Sequence, residues 1–189
     1  MDEVRAVPGE LSIKEEGETG VLPFADAVAA HQSLVFSIAY HLLHNSSHAE
    51  EIAQEVFFRL YRDYRKIKSA SHLIHWLRRT TTHRCLDLLR SSERRSQVSL
   101  EAVEVFLPPS SAERDPIMER TLRRLVSELP ADARAVVVLR FQEDLEPREI
   151  AQVLDLPVNT VKSRLQRALV ALRSRLASLE ESGYESHRR

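Results

Sequence analysis

The sequence predicts an all-α protein made of two small helical domains. Glycine is scarce: four glycines occur in 189 residues, and residues 21–182 contain none. Segments of alternating polarity between glycine-containing turns are absent, so no β-sheet is predicted. Apolar residues recur instead at helical spacing, most clearly near the end of the chain, where one stripe comprises Val161, Leu165, Ala168, Leu172 and Leu176.

The chain begins with an acidic segment at residues 1–22. This segment holds six acidic residues against two basic ones, three of the four glycines and no hydrophobic period. Segments of this composition bury too little apolar surface to fold. We therefore expect a disordered arm.

The first predicted domain covers residues 23–95 and contains three helices or more. Its helical pattern is interrupted near residues 45–47 and 68–71. Ser47 is predicted to cap the helix that begins at His48, with Glu50 three residues further on completing a capping box. The buried face of that helix is predicted to hold Ile52, Val56, Phe57 and Leu60.

A linker and a second domain follow. Residues 96–116 are predicted to be a flexible linker, because the run Pro108-Pro109-Ser110-Ser111 within them cannot continue a helix. The second domain covers residues 117–178, with helix breaks predicted at Pro130 and near Asp144 and Asp155. Residues 179–189 are predicted to form a tail.

The net charge of −1 conceals a basic stretch in the first domain. Residues 59–95 hold eleven basic residues and three acidic ones, which gives this stretch a net charge of +8. A basic surface of this size is typical of proteins that bind the phosphates of nucleic acid.

The composition also limits where the chain works. No apolar run approaches the length of about 18 residues that a membrane span requires, so membrane insertion is not expected. The first ten residues lack the basic region and apolar core of a signal peptide, so a cytoplasmic location is expected. Cys85 is the single cysteine, which excludes a disulfide within the chain and fits a reducing compartment.

The segment PREIAQVLDLPVNTVKSRLQ, residues 147–166, has the pattern of a helix-turn-helix. Ala151 is small where two crossing helices approach, and Val161 supplies the apolar contact from the second helix. The small core is predicted to include Ile150, Leu154 and Leu156 as well. Asp155 occupies the turn position that often carries glycine, and aspartate tolerates the left-handed conformation at a cost of about 1 kcal/mol. Asn159 and Thr160 are predicted to cap the second helix.

That second helix is basic on the side away from its apolar stripe. Five basic residues and no acidic one lie between residues 159 and 176: Lys162, Arg164, Arg167, Arg173 and Arg175. Positive side chains on an exposed helix suit contact with DNA phosphates and entry into the major groove. The sequence therefore predicts DNA binding by this helix.

The two domains, in this order, resemble the extracytoplasmic-function group of the bacterial sigma-70 family of RNA polymerase initiation factors. The resemblance covers about Phe24 to Leu176. HAEEIAQEVFFRLYRDY looks like the family's regions 2.1–2.2, and HLIHWLRRTTTHRCLDLLRSSERR like regions 2.3–2.4. LPADARAVVVLRFQEDLEPREIAQVLDLPVNTVKSRLQRALVALRSRL is similar to region 4.

The resemblance implies three binding surfaces. In region 2 it implies that core polymerase is bound by Glu50, Glu51, Gln54, Glu55 and Arg59. It also implies that the melted −10 strand is bound by a set of mostly basic residues: Lys66, Lys68, Ser69, Arg78, Arg79, His83, Asp87, Arg90 and Arg94. Trp76 is assigned to packing. His83 departs from the asparagine that many members have there. In region 4 it implies that the −35 duplex is bound by Asn159, Thr160, Lys162, Ser163, Arg164 and Arg167. The preceding Val138, Leu139 and Phe141 are assigned to the core, although the family also uses this region against the flap tip of the polymerase.

The resemblance also implies the partners. These are bacterial core RNA polymerase, promoter DNA and an anti-sigma factor, with the chain a monomer when free. No catalytic motif of the HExxH, P-loop or GxSxG type is present, so neither enzymatic activity nor a cofactor is predicted. His41, His44 and His48 have a spacing that suggests zinc, but it crosses the break at residues 45–47, and no metal site is predicted.

Two other functions remain open from the sequence. A stand-alone helix-turn-helix regulator would bind a palindromic duplex as a dimer and need no polymerase. An interaction module would use its first domain only to dock a partner protein, although the +8 stretch at residues 59–95 speaks against this.

Overall fold

The computed structural model describes residues 22–96 and 116–186, which fold into seven α-helices and, within these ranges, no strand. The helices are α1 (Phe24–Leu43), α2 (Ser46–Asp63), α3 (Ala70–Ser96), α4 (Pro116–Ser127), α5 (Ala131–Phe141), α6 (Pro147–Leu154) and α7 (Val158–Ser186). One turn of 3-10 helix, Tyr64–Lys66, follows α2. The all-α prediction is confirmed.

We call α1–α3 the first helical unit and α4–α7 the second helical unit. The predicted arm except Leu22, the predicted linker except Ser96 and Pro116, and the last three residues of the predicted tail lie outside the described residues. Ser96 ends α3 and Pro116 begins α4. α7 continues through Gly183 to Ser186, past residue 178 where the second domain is predicted to end. The domain boundaries themselves stay a prediction.

The core of the first helical unit forms where α1 packs against α2 and α3. The predicted burial of Ile52, Val56 and Leu60 is confirmed, and Phe57 packs half-buried at the edge of the core. The fully buried side chains opposite them include Ile38, Leu42, Leu73 and Leu77. Each such side chain stabilises the fold by about 1.5–3 kcal/mol relative to exposure.

The predicted cap of α2 is wrong by two residues. Asn45 occupies the N-cap position, and its side-chain oxygen accepts a hydrogen bond of 2.9 Å from the backbone N–H of His48. Ser47 lies inside the first turn and is exposed. Asn45 has the extended backbone that a cap requires, and asparagine caps at least as well as serine.

The second helical unit is built around the contact of α5 with α7. One cluster of buried side chains there comprises Leu125, Leu129, Val137, Ala168 and Leu172. Val138 and Leu139 are buried as predicted, but Phe141 is 59% exposed and its assignment to the core is wrong. Phe141 is the last residue of α5, and it lines a surface pocket together with Leu169 and Leu172 of α7.

The two units pack directly on each other. α5 lies against α1 and α3, and α6 lies against α3, so that one apolar core runs through both units. The buried Arg134 of α5 joins them: its Nη1 donates to the carbonyl of Leu42 at 2.7 Å, and its Nη2 donates to the carbonyls of Leu129, at 3.2 Å, and Ser127. These carbonyls lie at or just beyond the ends of α1 and α4, where helices lack internal donors.

His44 ends α1 in the left-handed conformation, with φ of 52°. Burial, with smaller contributions from Arg134, His41 and Arg123, lowers its pKa to about 4. The histidine is therefore neutral in the fold and becomes protonated on unfolding below its ordinary pKa of about 6.5. Its contribution to stability is complete above that pH and is lost as the pH falls toward 4.

We expect the His44→Asn variant to lose this pH dependence, since asparagine also tolerates the left-handed conformation. Between pH 7 and pH 5 the wild type should lose about 2 kcal/mol of unfolding free energy that the variant keeps. Denaturant unfolding at the two pH values measures this, with the exposed His48→Asn as the control. Equal losses of unfolding free energy in wild type and His44→Asn would contradict the lowered pKa of His44 as the source of the pH dependence.

Two further features of the described residues bear on function. No helix among them is long and apolar enough to cross a membrane. Cys85 is buried and its thiol pKa is raised to about 12 by burial, so it remains a protonated core residue.

Candidate nucleic-acid interface

α6 and α7 form the predicted helix-turn-helix. Asp155 follows α6 with φ of 57° and ψ of 44°, the left-handed conformation that the turn requires. The backbone N–H of Leu156 donates to the carbonyl of Ala151 at 3.0 Å, which closes the turn. Ile150, Ala151 and Val161 are buried where the helices cross, as predicted.

The start of each helix of this motif is fixed locally. α6 begins with a capping box between Glu146 and Glu149. α7 begins at Val158, where the carbonyl of Pro157 accepts from Thr160 and Val161 at 2.9 and 3.2 Å. The predicted capping of α7 by Asn159 and Thr160 is therefore wrong, because both residues already lie in its first turn.

This placement leaves the first turns of α7 open to solvent on one face. Four of the residues assigned to the −35 duplex are exposed there: Asn159, Lys162, Ser163 and Arg167. Thr160 is half-buried, and its carbonyl accepts from the Ser163 hydroxyl at 3.0 Å. Free backbone N–H groups and positive side chains at a helix start together favour a phosphate or a base edge.

Arg164 is the exception on this face. It is half-buried, and its Nη1 lies 3.4 Å from Oδ2 of Asp132 at the start of α5. The ion pair holds the guanidinium beside the exposed face and also occupies part of its hydrogen-bonding capacity. For Arg164 to contact DNA, its guanidinium must leave the Asp132 carboxylate and bind a phosphate or a base instead.

The residues assigned to the −10 strand divide into two groups. Lys66, Lys68 and Ser69 lie between α2 and α3; Lys66 pairs with Asp63 at 2.5 Å, and Lys68 is exposed. The Ser69 hydroxyl accepts from the backbone N–H of His72 at 3.1 Å. This short loop presents positive charge and one hydroxyl group to solvent.

The second group lies along α3 and faces the second helical unit. Arg78 Nε is 3.2 Å from Glu143 Oε2, and Arg90 Nη2 is 2.8 Å from Asp132 Oδ1. Arg79 Nη2 is 2.5 Å from Asp155 Oδ2, and its Nη1 donates to the carbonyl of Gln152 at 3.1 Å. His83 Nε2 lies 3.0 Å from the carbonyl oxygen of Val153.

Two assigned residues of α3 lie elsewhere. Asp87 is exposed, with its carboxylate 3.8 Å from Arg84. Arg94 lies near the end of α3, outside the residues whose side chains are described. Trp76, assigned to packing, is half-buried against the core.

The residues assigned to polymerase contact lie on α2, but not all on one face. Glu50, Glu51, Gln54 and Arg59 are exposed. Glu55 instead pairs with Arg59 at 3.0 Å and, toward α3, with Arg84 at 2.7 Å. Its carboxylate is engaged within the first helical unit.

Sequence reasoning missed two aromatic residues on this helix. Phe58 and Tyr61 are 65% and 66% exposed, and Tyr61 packs edge to face against Phe24 with ring centroids 5.2 Å apart. Large exposed aromatic side chains mark protein interfaces. Their spacing from Gln54, four and seven residues, was a usable signal, because it places all three on one helix face.

A metal site was considered at the histidines near the break between α1 and α2. No group of three His, Cys, Asp or Glu side chains in it could hold a metal ion. His41 and His44 lie near the end of α1 and His48 lies in α2, with the helix break between them.

Comparisons with known proteins cover both units. A family model described as Sigma-70 region 2 matches residues 27–95, and one described as Sigma-70, region 4 matches residues 119–172. The ECF RNA polymerase sigma factor SigW of Bacillus subtilis is 29% identical over 168 residues, which cover 82% of this chain and 90% of that protein. The RNA polymerase sigma-H factor of Pseudomonas aeruginosa is 30% identical over 165 residues, which cover 80% of this chain and 85% of that protein.

A solved structure has the same fold. It is the sigma factor RpoE in complex with the anti-sigma factor NepR from Bartonella quintana, which matches with a TM-score of 0.66 at 19% identity. The match covers 82% of this chain and 96% of that chain.

Proposed function

This chain belongs to the extracytoplasmic-function group of the sigma-70 family of RNA polymerase sigma factors, and from that premise we propose which of its surfaces does which part of the work. It is a non-enzymatic initiation factor that binds core polymerase, recognises the −35 and −10 promoter elements and promotes DNA melting. We assign region 2 to the first helical unit and region 4 to the second helical unit.

The exposed face at the start of α7 carries the −35 assignment. Lys162 and Arg167 supply positive charge, and Asn159 and Ser163 supply exposed polar groups of the kind that hydrogen-bond base edges. The helix-turn-helix, whose α7 exposes Asn159, Lys162, Ser163 and Arg167 in the part of the chain that the structure describes, is the single observation that supports the proposal most strongly.

The −10 strand is assigned to the Lys66–Ser69 loop and the arginines of α3. Opening of the duplex would follow from preferential binding of the unstacked strand, which shifts the equilibrium without chemistry or ATP. The loop is open to solvent, whereas the arginines of α3 are in contact with the second helical unit.

Core polymerase is assigned to the exposed face of α2. Phe58 and Tyr61 provide apolar area at its centre, and Glu50, Glu51 and Gln54 provide a polar rim. This arrangement of aromatic centre and polar edge is typical of specific protein interfaces. We propose Phe58 and Tyr61 as the anchors of that interface.

Location and regulation follow from the same assignment. We place the chain in the cytoplasm, where core polymerase and promoter DNA are available to it. We also propose an anti-sigma factor as an inhibitory partner, supported by the fold shared with a sigma factor in complex with one.

The experiment that tests the proposal is co-elution of the purified chain with bacterial core RNA polymerase on a sizing column. We expect one complex. A folded chain that elutes separately from the polymerase would favour the stand-alone DNA-binding regulator.

We expect Phe58→Ala to weaken core binding by about thirtyfold, because truncating a central interface aromatic costs about 2 kcal/mol. Titration of labelled core polymerase with each variant measures the change. Val170→Ala, which truncates an exposed apolar residue of α7, serves as the control and should bind like wild type. Unchanged affinity of a folded Phe58→Ala chain would remove Phe58 from the interface.

A further inference from the structure

A cavity of about 310 Å³ lies where the end of α1 meets α4, α5 and α7. Leu172 in its lining is buried, whereas Leu122 and Phe141 are 44% and 59% exposed, so the cavity opens to solvent beside these two. Its volume falls in the range of about 300–1,000 Å³ that is typical of sites for small organic molecules. None of the residues assigned to the −35 duplex, the −10 strand or the polymerase-binding face of α2 lines it.

Most of the lining is aliphatic. We call the following side chains of α4, α5 and α7 the aliphatic wall: Leu122, Val126, Val137, Val138, Leu169 and Leu172. A wall of branched aliphatic side chains suits a flexible alkyl chain, because apolar burial has no directional requirement. Each methylene group that moves from water into such a site strengthens binding by about fourfold.

The lining also contains unused hydrogen-bonding capacity. Nε2 of His44 and Nη1 of Arg123 are buried and have no hydrogen-bond partner among the described residues. Buried polar atoms are nearly always satisfied, so each exception calls for an explanation. Nη2 of Arg123 donates to Glu119, one turn earlier on α4, which leaves the other terminal nitrogen of the guanidinium to bind a further acceptor.

The charges around these two nitrogens favour an anion. Burial is the main reason that the pKa of His44 is lowered, and Arg134, His41 and Arg123 each lower it further. The positive groups therefore act together at the place where His44 lines the cavity. A positive potential in a site that is partly closed to water favours a negatively charged group.

Water alone would satisfy only one part of this lining. It would provide acceptors for the two nitrogens but would leave the aliphatic wall hydrated. A molecule with one anionic acceptor and an alkyl chain satisfies both parts. Carboxylate is the acceptor that arginine binds through parallel N–H donors, and such charge-assisted hydrogen bonds are about twice as strong as neutral ones.

We propose that this cavity is a binding site for a small alkyl carboxylate, with the carboxylate on Arg123 and His44 and the alkyl chain along the aliphatic wall. Nη1 of Arg123 is covered from solvent in the structure, so its side chain turns toward the cavity as the ligand enters. Its pair with Glu119, along a single helix, holds it only weakly. The site goes beyond the proposed function and does not depend on it.

The first measurement is calorimetric titration of the purified chain with sodium octanoate, sodium butanoate and octan-1-ol. Octanoate should bind as a one-to-one complex. Butanoate lacks four methylene groups and should bind at least a hundredfold more weakly. Octan-1-ol has the chain without the charge and should bind about tenfold more weakly. Absence of saturable octanoate binding, or equal affinities for octanoate and octan-1-ol, would overturn the proposal.

The second measurement repeats the titrations with Arg123→Gln, which removes the guanidinium. Octanoate should bind this variant about tenfold more weakly than wild type, whereas the affinity for octan-1-ol should change by less than about twofold. Arg124→Gln is the matched control, because it removes the same charge from the neighbouring, exposed position of α4 and does not line the cavity. If Arg123→Gln bound octanoate as tightly as the control does, the carboxylate would not lie on Arg123 and the proposal would fail.

The third measurement tests the aliphatic wall at a position whose replacement does not disturb the core. Leu122→Glu places a negative charge beside the alkyl chain, and it should weaken the binding of octanoate and octan-1-ol alike by at least tenfold. Val170→Glu is the matched control, because Val170 is an exposed apolar residue of α7 outside the lining. Circular dichroism establishes that each variant is folded. Wild-type affinity for octanoate in a folded Leu122→Glu chain would place the ligand elsewhere and contradict the proposal.

Discussion

Replacing Lys162 and Arg164 together by alanine is expected to abolish transcription that depends on the −35 element while polymerase binding stays intact. Both side chains lie at the start of α7, on or beside its exposed face. Well-placed contacts to bases are worth about 1–3 kcal/mol each, so losing two should lower affinity for the duplex by about a hundredfold or more. The polymerase-binding face on α2 belongs to the other helical unit.

Promoter-directed transcription with reconstituted polymerase measures this effect. The double variant Arg173→Ala with Arg175→Ala removes the same charge from the same helix, beyond Arg167, the last residue of the assigned face, and should retain most of the activity. If the Lys162 and Arg164 variant were as active as this control, the assignment of the −35 surface to α7 would fail.

Replacing Arg134 by methionine is expected to lower the free energy of unfolding by about 3 kcal/mol. The guanidinium donates to carbonyls of Leu42, Ser127 and Leu129 in a buried position, and methionine has no donor to replace it. Buried acceptors left without partners cost about 1–3 kcal/mol each, part of which relaxation recovers. The loss of stability should affect both helical units, because Leu42 belongs to the first unit and Ser127 and Leu129 belong to the second.

Denaturant unfolding followed by circular dichroism measures the change. Arg124→Met is the control, because Arg124 is exposed and its ion pair among the described residues is with the neighbouring Glu128. We expect the control to change stability by less than about 0.5 kcal/mol. A loss below about 1 kcal/mol for Arg134→Met would show that the buried hydrogen bonds are not a main support of the packed units.

The helix-turn-helix was predictable from sequence because its determinants are local. The small Ala151, the apolar Val161 ten residues later and a residue able to adopt the left-handed turn lie within one short segment. The structure places all of them as expected, with Asp155 left-handed. The turn and the helix crossing are determined by residues close together in the chain, so the pattern of those residues is enough to predict the motif.

The errors arose where several residues compete for one local role. Asn45 and Ser47 are both good caps, and the extended backbone at Asn45 decides between them. Pro157 starts α7 through its carbonyl, which moves Asn159 and Thr160 into the first turn. Phe141 is apolar but lies at the end of α5, so composition alone could not show its exposure.

The contact between the two units could not be predicted from sequence. Arg79 and Asp155 are 76 residues apart, and Arg78 and Glu143 are 65 apart. Each is an ordinary surface charge by pattern, and only the packing of α5 and α6 on α3 brings them together. The sequence identified α3 as basic, and the structure shows which carboxylates face it.

The measurement that tests the account most directly is transcription by core polymerase and this chain from a library of templates with randomised upstream sequence. We expect transcripts only with the chain present, from templates that share two short motifs about two and a half helical turns apart. Transcripts that require a single palindromic motif, or none beyond those of core polymerase alone, would contradict the account.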